Sequence, residues 1–146
     1  MEDIDQAIVR LLAADGRTSY TDLGKATGLS TSAVHQRVRR LEHRGVIKGY
    51  TISVDHDALG LPLTALISIK LIDPAAPDDA PALLEHIRAI EACYSVAGEE
   101  SYVLKVRVAS PAALEQLLAE IRAAANVSTR TSVVLSTPYE DRPPAI

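Results

Sequence analysis

The apolar residues of this chain change their spacing near residue 50, and this change limits what the chain can fold into. Up to residue 45 they recur three or four positions apart, which is the spacing of helices that bury one side. Beyond residue 62, stretches in which every second residue is apolar are interleaved with stretches of helical spacing. The sequence therefore predicts an α+β chain, with an all-helical part first and a part of strands and helices after it.

Two helices are predicted in the first 28 residues. The first carries an apolar stripe over residues 4–12 and ends at the turn Asp15-Gly16. The second is predicted from Tyr20 to Thr27, where Ser19 serves as the N-cap and Gly28 as the stop. Gly28 then begins a tight turn into a third helix.

This third helix is predicted between the N-cap Ser30 and the stop Gly45. Val34, Val38 and Leu41 fall on one narrow side of it, which can be buried. The opposite side carries hydrogen-bond donors and positive charge from Ser32, Gln36, Arg39 and His43, flanked by His35 and Arg40. Such a helix, after a short helix and a glycine turn, is typical of helix-turn-helix (winged-helix-like) DNA-binding domains. A structural three-helix bundle explains the apolar stripes equally well, but not this outward set.

The third helix is predicted to enter the major groove of double-stranded DNA, where Arg and Gln side chains recognise base edges. Base contacts are expected from Ser32, Gln36 and Arg39. Phosphate contacts are expected from His35, Arg40 and Arg44. For Arg37, which flanks the buried stripe, a structural role and a phosphate contact both remain open. Backbone N–H groups at the start of the second helix can also meet a phosphate. The complete predicted DNA-binding set is Thr18, Ser19, Tyr20, Ser30, Ser32, His35, Gln36, Arg37, Arg39, Arg40 and Arg44.

Charge is distributed unevenly along the 146 residues. The net charge of −4 by itself argues against a nucleic-acid-binding protein. Residues 6–50, however, carry eight basic and three acidic groups, whereas residues 51–146 carry seven basic and thirteen acidic groups. A basic first third joined to an acidic remainder favours a DNA-binding domain attached to a separate regulatory or assembly domain.

Several other classes of protein are disfavoured. The single cysteine excludes an intramolecular disulfide and a cysteine zinc cluster, and the four histidines show no metal-ligand spacing. No nucleophile–base pair is evident, so the chain is predicted to be no enzyme and to need no metal or cofactor. The acidic N-terminus is unlike a signal peptide, and no apolar run is long enough for a membrane span. A cytoplasmic protein without membrane contact is therefore expected.

The second part of the chain is predicted to follow the order strand-helix-strand-strand-helix-strand. Strands are indicated over residues 63–71, 93–97, 102–108 and 127–135, and helices over residues 80–90 and 111–126. This is the order of the ferredoxin-like βαββαβ fold, in which two helices cover one face of a four-stranded sheet. A further strand is expected at residues 50–54, where alternate residues are apolar. The predicted domains are residues 1–50 (helix-turn-helix, DNA binding), 51–61 (strand and hinge), 62–137 (effector binding and dimerisation) and 138–146 (flexible tail).

The free face of the predicted sheet carries Leu and Val among Thr and Ser, which makes it too apolar to remain in water. Two sheets packed face to face would cover it, so a homodimer through the second domain is predicted. A monomer that tolerates a mixed sheet face is the alternative. A dimer would set two recognition helices about 34 Å apart, one turn of DNA, on a pseudo-palindromic site.

Two sets of short motifs run through the chain. The first spans residues 5–50 and includes Asp15-Gly16-Arg17, Arg40-Leu41-Glu42 and Gly45-Val46-Ile47. The second comprises Val96-Ala97-Gly98, then Tyr102 and Leu104, and then Thr129, Thr131 and Val134-Leu135. Together they resemble the Lrp/AsnC family, the feast/famine regulators of bacteria and archaea. The alanine- and arginine-rich composition and the stretch GEESYVL resemble actinobacterial members most.

The resemblance implies that the second domain senses a free amino acid and assembles the protein into dimers and octamers. In the family the amino acid binds at a turn that usually reads Gly-x-x-Asp-Tyr. Here the turn is Gly98-Glu99-Glu100-Ser101-Tyr102, so serine replaces the usual aspartate and the effector can differ. A zwitterion needs an acceptor for its ammonium and donors for its carboxylate. Glu99 or Glu100 could be the acceptor, and Gly98 and Ser101 could donate from the backbone or the hydroxyl group. An inert acidic turn is the alternative. The predicted effector-binding set is Val96, Gly98, Glu99, Glu100, Ser101, Tyr102, Thr129 and Thr131.

The predicted function is a sequence-specific transcriptional regulator that responds to an amino acid bound at the interface between C-terminal domains. One alternative is an effector-independent, nucleoid-type architectural protein, which would bind DNA through the same residues and which footprinting would distinguish. The other alternative is a ferredoxin-like dimeric enzyme with a polar pocket in its sheet.

Overall fold

The structure, a computed structural model, describes all 146 residues. They form two compact units: residues 1–53 together with 138–146, and residues 54–137. None of the helices combines the length and the apolar character that crossing a lipid bilayer requires. The elements in chain order are α1 (Asp3–Ala14), α2 (Tyr20–Thr27), α3 (Thr31–His43), β1 (Leu63–Leu71), α4 (Ala80–Leu84), β2 (Ile90–Ser95), β3 (Tyr102–Val108), α5 (Pro111–Ala125) and β4 (Val127–Val133).

The first unit is a bundle of α1, α2 and α3, as the helical spacing predicts. Ser19 and Ser30 cap α2 and α3, because their hydroxyl oxygens accept hydrogen bonds from the backbone N–H groups of Asp22 (3.0 Å) and Ala33 (3.2 Å). One apolar core holds the three helices together: Ile8, Leu23, Val34, Val38 and Leu41.

Two glycines fix the turn between α2 and α3. Gly28 ends α2 with a φ of 76°, a left-handed conformation that favours glycine. A Cβ atom on Gly24 would lie 2.6 Å from the carbonyl oxygen of Leu29, so the turn approaches α2 only because residue 24 has no side chain. The presentation of α3 therefore depends on both glycines.

The second unit is a four-stranded sheet in the order β2-β3-β1-β4, with every neighbouring pair antiparallel. α4 and α5 cover one face, where alternate strand residues such as Ala65, Ile67 and Leu104 are fully buried. This arrangement is the predicted ferredoxin-like βαββαβ fold, and the predicted α+β class is confirmed.

Neither helix of this unit packs on the opposite face of the sheet, called here the open face. It mixes apolar and polar side chains, and two large apolar ones are well exposed: Leu66 at 40% and Tyr94 at 55%. A face of this composition is expected to be covered by a partner. The open face is formed by Thr64, Leu66, Ser68, Lys70, Ala92, Tyr94, Val103, Lys105, Arg107, Ser128, Arg130 and Ser132.

Four predicted elements differ from the structure, among them the final strand, which ends at Val133 instead of residue 135. Residues 50–54 form no strand, because a strand needs a neighbour for its backbone N–H and C=O groups and none pairs with them. The helix predicted up to Ile90 ends at Leu84, where a tight turn begins and the Ile87 N–H donates to the Leu84 carbonyl oxygen. Since the chain leaves helical geometry early, β2 begins at Ile90 and ends at Ser95, and the predicted strand over residues 93–97 is wrong at both ends.

The C-terminal segment, residues 138–146, belongs to the first unit. Arg10 Nε donates a 2.8 Å hydrogen bond to the main-chain oxygen of Ile146. Pro144 lines a cavity of about 250 Å³ with residues of α1 and residues 46–50. The end of the segment therefore contacts α1, while residues 138–146 are all exposed, and the flexibility of this tail stays a prediction.

Candidate nucleic-acid interface and effector pocket

The side of α3 that faces away from the core carries the predicted DNA-reading residues. Val34, Val38 and Leu41 are fully buried, which directs the opposite side of the helix to solvent. Arg39 has no ion-pair partner within the chain, so its guanidinium is available to an external group. This side can offer several side-chain donors to a DNA groove. Its exposed polar residues are Ser32, His35, Gln36, Arg39, Arg40 and His43, and Arg44 follows directly after the helix.

Unlike Arg39, Arg37 and Arg40 have an ion-pair partner within the chain, and both contact the same buried carboxylate. Asp5 on α1 is 2% exposed, and its Oδ1 accepts a 2.9 Å hydrogen bond from Arg37 Nη1. Its Oδ2 lies 3.7 Å from Arg40 Nη2. Arg37 Nη1 also donates to Glu2 Oε2 at 2.9 Å, and the hydrogen bonds to Asp5 and Glu2 raise the pKa of the Arg37 guanidinium. Arg37 is thus held inside the fold, while half of the Arg40 side chain remains exposed.

Several side chains that were predicted to contact phosphate form hydrogen bonds within the protein instead. The hydroxyl groups of Ser19 and Ser30 cap α2 and α3, and Thr18 Oγ1 donates to the Asp15 carbonyl oxygen at 2.7 Å. Tyr20 packs edge-on against His35, with ring centroids 5.2 Å apart. A phosphate at the start of α2 would therefore meet backbone N–H groups more readily than hydroxyl groups.

The predicted effector turn lies beside the open face of the sheet. The Val96 N–H closes it with a 3.1 Å hydrogen bond to the Ser101 carbonyl oxygen, and the Ser101 N–H donates to the Ile69 carbonyl oxygen at 3.0 Å. Glu99 and Glu100 line a cavity of about 280 Å³, called here the Glu99-Glu100 cavity. Carboxylates and cationic groups share it, since Glu100 Oε1 lies 3.5 Å from Arg130 Nη1. Its other walls are Ser68, Lys70, Ser128, Thr129 and Arg130.

Tyr102 and Thr131 of the predicted effector set lie outside this cavity. The Tyr102 hydroxyl donates to Asp78 Oδ1 at 2.9 Å, and this hydrogen bond raises the pKa of the Tyr102 phenol. Thr129 and Thr131 lie on the strand face that the helices cover. Thr129 borders the cavity from that side, and its Oγ1 accepts a 3.3 Å hydrogen bond from Arg122 Nη1. Two further members are exposed in the turn: Val96 and Gly98.

Sequence reasoning missed four polar residues of this cavity. In the sheet, Ser68 on β1 pairs with Arg130 on β4, and Lys70 pairs with Ser128. Their alternation with apolar neighbours marks them as residues of the open face. The register that brings them to the turn, however, depends on pairing between strands that are far apart in the sequence.

Both units match family models. Residues 1–42 match the AsnC-type helix-turn-helix domain, and residues 64–144 match the Lrp/AsnC ligand binding domain. The chain belongs to the Lrp/AsnC family. In this Lrp/AsnC chain the first match covers α1, α2 and most of α3, and the second covers the whole sheet except Leu63, together with the Glu99-Glu100 cavity.

Individual Lrp/AsnC proteins are similar over nearly the whole chain. The HTH-type transcriptional regulator LrpA of Mycobacterium tuberculosis is 57% identical over 142 residues, which cover 97% of this chain and 95% of LrpA. A feast or famine regulatory protein from M. tuberculosis, solved in complex with L-methionine, has a TM-score of 0.94 at 57% identity and covers 97% of this chain and 96% of its own. LrpC of Bacillus subtilis has a TM-score of 0.85 at 33% identity, and the match covers 94% of this chain and 96% of LrpC.

This Lrp/AsnC chain is therefore a transcriptional regulator with a DNA-binding helix-turn-helix domain and a ligand-binding domain. The predicted likeness to an actinobacterial member is confirmed by the match to M. tuberculosis LrpA. M. tuberculosis LrpA is named a transcriptional regulator, which is consistent with the prediction that the chain is no enzyme.

Proposed function

We propose that this Lrp/AsnC regulator binds pseudo-palindromic sites in double-stranded DNA as a dimer. We further propose that a free amino acid in the Glu99-Glu100 cavity changes that binding. In this proposal residues 1–50 recognise DNA, and residues 62–137 bind the effector and pair the subunits. The observation that carries it is the occurrence, in one chain, of the exposed basic side of α3 and of a small cavity with both signs of charge.

The exposed side of α3 supports the DNA-binding half of the proposal. Arg39 and Gln36 are of the types that recognise guanine and adenine through paired hydrogen bonds. Arg40 and Arg44 add positive charge that DNA phosphates would neutralise. The surrounding residues 6–50 carry eight basic and three acidic groups, so the local field favours DNA although the whole chain is acidic.

The Glu99-Glu100 cavity supports the effector half. An α-amino acid carries an ammonium and a carboxylate close together, and the cavity presents partners for both. Glu99 and Glu100 can accept hydrogen bonds from the ammonium, while Lys70 and Arg130 can bind the carboxylate. The relative solved with L-methionine makes an amino acid the class of ligand to test first.

The open face of the sheet supports the pairing of subunits. Leu66 and Tyr94 are well exposed there among polar neighbours. A second copy of the same face offers the same mixture of groups, so two sheets packed face to face would bury both. Four walls of the Glu99-Glu100 cavity belong to this face, namely Ser68, Lys70, Ser128 and Arg130, so the effector would lie at the interface between C-terminal domains. Further association of such dimers would give the octamer that the family resemblance implies.

Calorimetric titration with the twenty amino acids, beginning with L-methionine, tests the effector half. Glu100→Gln keeps the side-chain size but removes the charge that would face the ligand ammonium, so affinity for the best ligand should fall about tenfold or more. Glu115→Gln is the matched control, because Glu115 is exposed on α5 outside the cavity. No heat with any amino acid, or equal affinities for E100Q and the parent, would contradict this half of the proposal.

A further inference from the structure

Asp5 is the only buried charged side chain of the chain, and its position between α1 and α3 connects it to the DNA-binding surface. A carboxylate held away from water is stable only when charged or hydrogen-bonding partners surround it. Two of its partners come from α3: Arg37 at 2.9 Å and Arg40 at 3.7 Å. The recognition helix is therefore attached to α1 by an ionic contact as well as by apolar packing.

The two arginines are held differently. Arg37 Nη1 contacts both Asp5 and Glu2 at 2.9 Å, and its side chain is 22% exposed, so both N–H groups of Nη1 are used within the fold. Arg40 approaches the other carboxylate oxygen, and its side chain is half exposed. A guanidinium has five N–H donors, so Arg40 can face Asp5 on one edge and still present donors to the outside.

We infer that Asp5 is a positioning residue for DNA binding: it holds the guanidinium of Arg40 ready to contact a DNA phosphate, while Arg37 anchors the carboxylate. The inference rests on the proposed function, because it requires α3 to bind DNA. A long arginine side chain loses rotamer freedom when it binds, and restraint before binding reduces that loss. The phosphate contacts of α3 then come from its exposed arginines. Arg37 contributes to DNA binding only indirectly, because it anchors the Asp5 carboxylate.

A double-mutant cycle on the full chain separates positioning from a purely structural role. Asp5→Asn keeps the shape of the side chain and removes its charge, and Arg40→Ala removes the group that it positions. Each variant and the double variant are titrated with a duplex selected by the parent from a random library, and with an unselected duplex of equal length.

We expect D5N and R40A each to weaken binding to the selected duplex about tenfold, and the double variant to bind no more weakly than R40A alone. Each phosphate contact that a variant no longer makes should reduce the magnitude of the slope of log K against log salt by about 1, in D5N as in R40A. Affinity reductions that multiply in the double variant, or a D5N variant that binds as tightly as the parent, would overturn the inference.

Two control variants are available in the same unit. Asp3→Asn makes the same charge change at an exposed position of α1 and should leave the affinity within about twofold of the parent. Arg44→Ala removes an exposed arginine that does not contact Asp5, so the D5N and R44A affinity reductions should multiply. A parent that binds neither duplex would refute the proposed function. If the parent binds DNA but the affinity reductions of D5N and R40A multiply in the double variant, only the positioning role is refuted.

Thermal melting followed by circular dichroism first establishes that each variant is folded. If D5N does not fold, Arg40→Lys provides the test. A lysine keeps the charge, but its single ammonium cannot present a planar fork to Asp5 and to a phosphate together, so the affinity of R40K should also fall about tenfold. Binding of R40K at parent affinity would overturn the inference.

Discussion

Replacing Leu41 by alanine is expected to unfold the DNA-binding unit and to leave the ligand-binding unit folded. Leu41 is fully buried on the inner side of α3, within a core of only five fully buried apolar residues. Truncation of a buried leucine destabilises a protein by about 2–5 kcal/mol. Since domains are stabilised by roughly 0.05–0.15 kcal/mol per residue, the total free energy of unfolding of a unit this small is little larger than the loss caused by the substitution.

Hydrogen–deuterium exchange with mass spectrometry locates the effect. In L41A, peptides from α1, α2 and α3 should exchange like an unfolded chain, whereas peptides from β1 and β4 should keep the protection of the parent. Leu59→Ala is the control, because Leu59 is 62% exposed and loses little packing when truncated. Unchanged protection of α3 in L41A would contradict the assignment of this side of the helix to the core.

The second large effect is expected from a charge on the open face of the sheet. Leu66 lies in the middle of β1, is 40% exposed and pairs with Lys105 on β3 and Ser132 on β4. A monomer would tolerate Leu66→Glu at such a half-exposed position. In the proposed dimer each subunit would bury the new charge in the interface, which is strongly unfavourable. We therefore expect L66E to be a folded monomer.

Loss of the dimer also removes bivalent binding to the two halves of a DNA site. The affinity of L66E for a duplex with both half-sites should consequently fall about a hundredfold or more. Leu83→Glu is the matched control, because Leu83 is 41% exposed but lies on α4, away from the open face. Sedimentation measures the subunit number of both variants. An L66E protein that sediments like the parent would show that the open face is no subunit interface.

Elements with local signals could be predicted from the sequence. The bounds of α2 follow from Ser19 and Gly28, and those of β1 from the alternation that begins at Leu63. In both cases the deciding groups lie within a few residues of the element, so no distant contact is needed. The outward side of α3 follows in the same way, because Val34, Val38 and Leu41 fix which side is buried.

Features that depend on distant contacts could not be predicted. The alternation at residues 50–54 favours a strand, but a strand also requires a pairing partner, and the chain offers none there. The Glu99-Glu100 cavity requires the register of β1 with β4, which brings Lys70 and Arg130 to the turn. The burial of Asp5 depends on the packing of α1 against α3, since a carboxylate in the first turn of a helix is ordinarily exposed.

Recognition of DNA by the exposed side of α3 is tested most directly by measuring the affinities of the parent and Arg39→Ala for a selected and an unselected duplex over a range of salt concentrations. With three or four phosphate contacts in each half of a dimer, log K for the parent should fall against log salt with a slope of about −5 to −7. R39A should weaken binding to the selected duplex roughly tenfold or more and change binding to the unselected duplex little. A slope near zero, or equal affinities of R39A and the parent for both duplexes, would contradict recognition through α3.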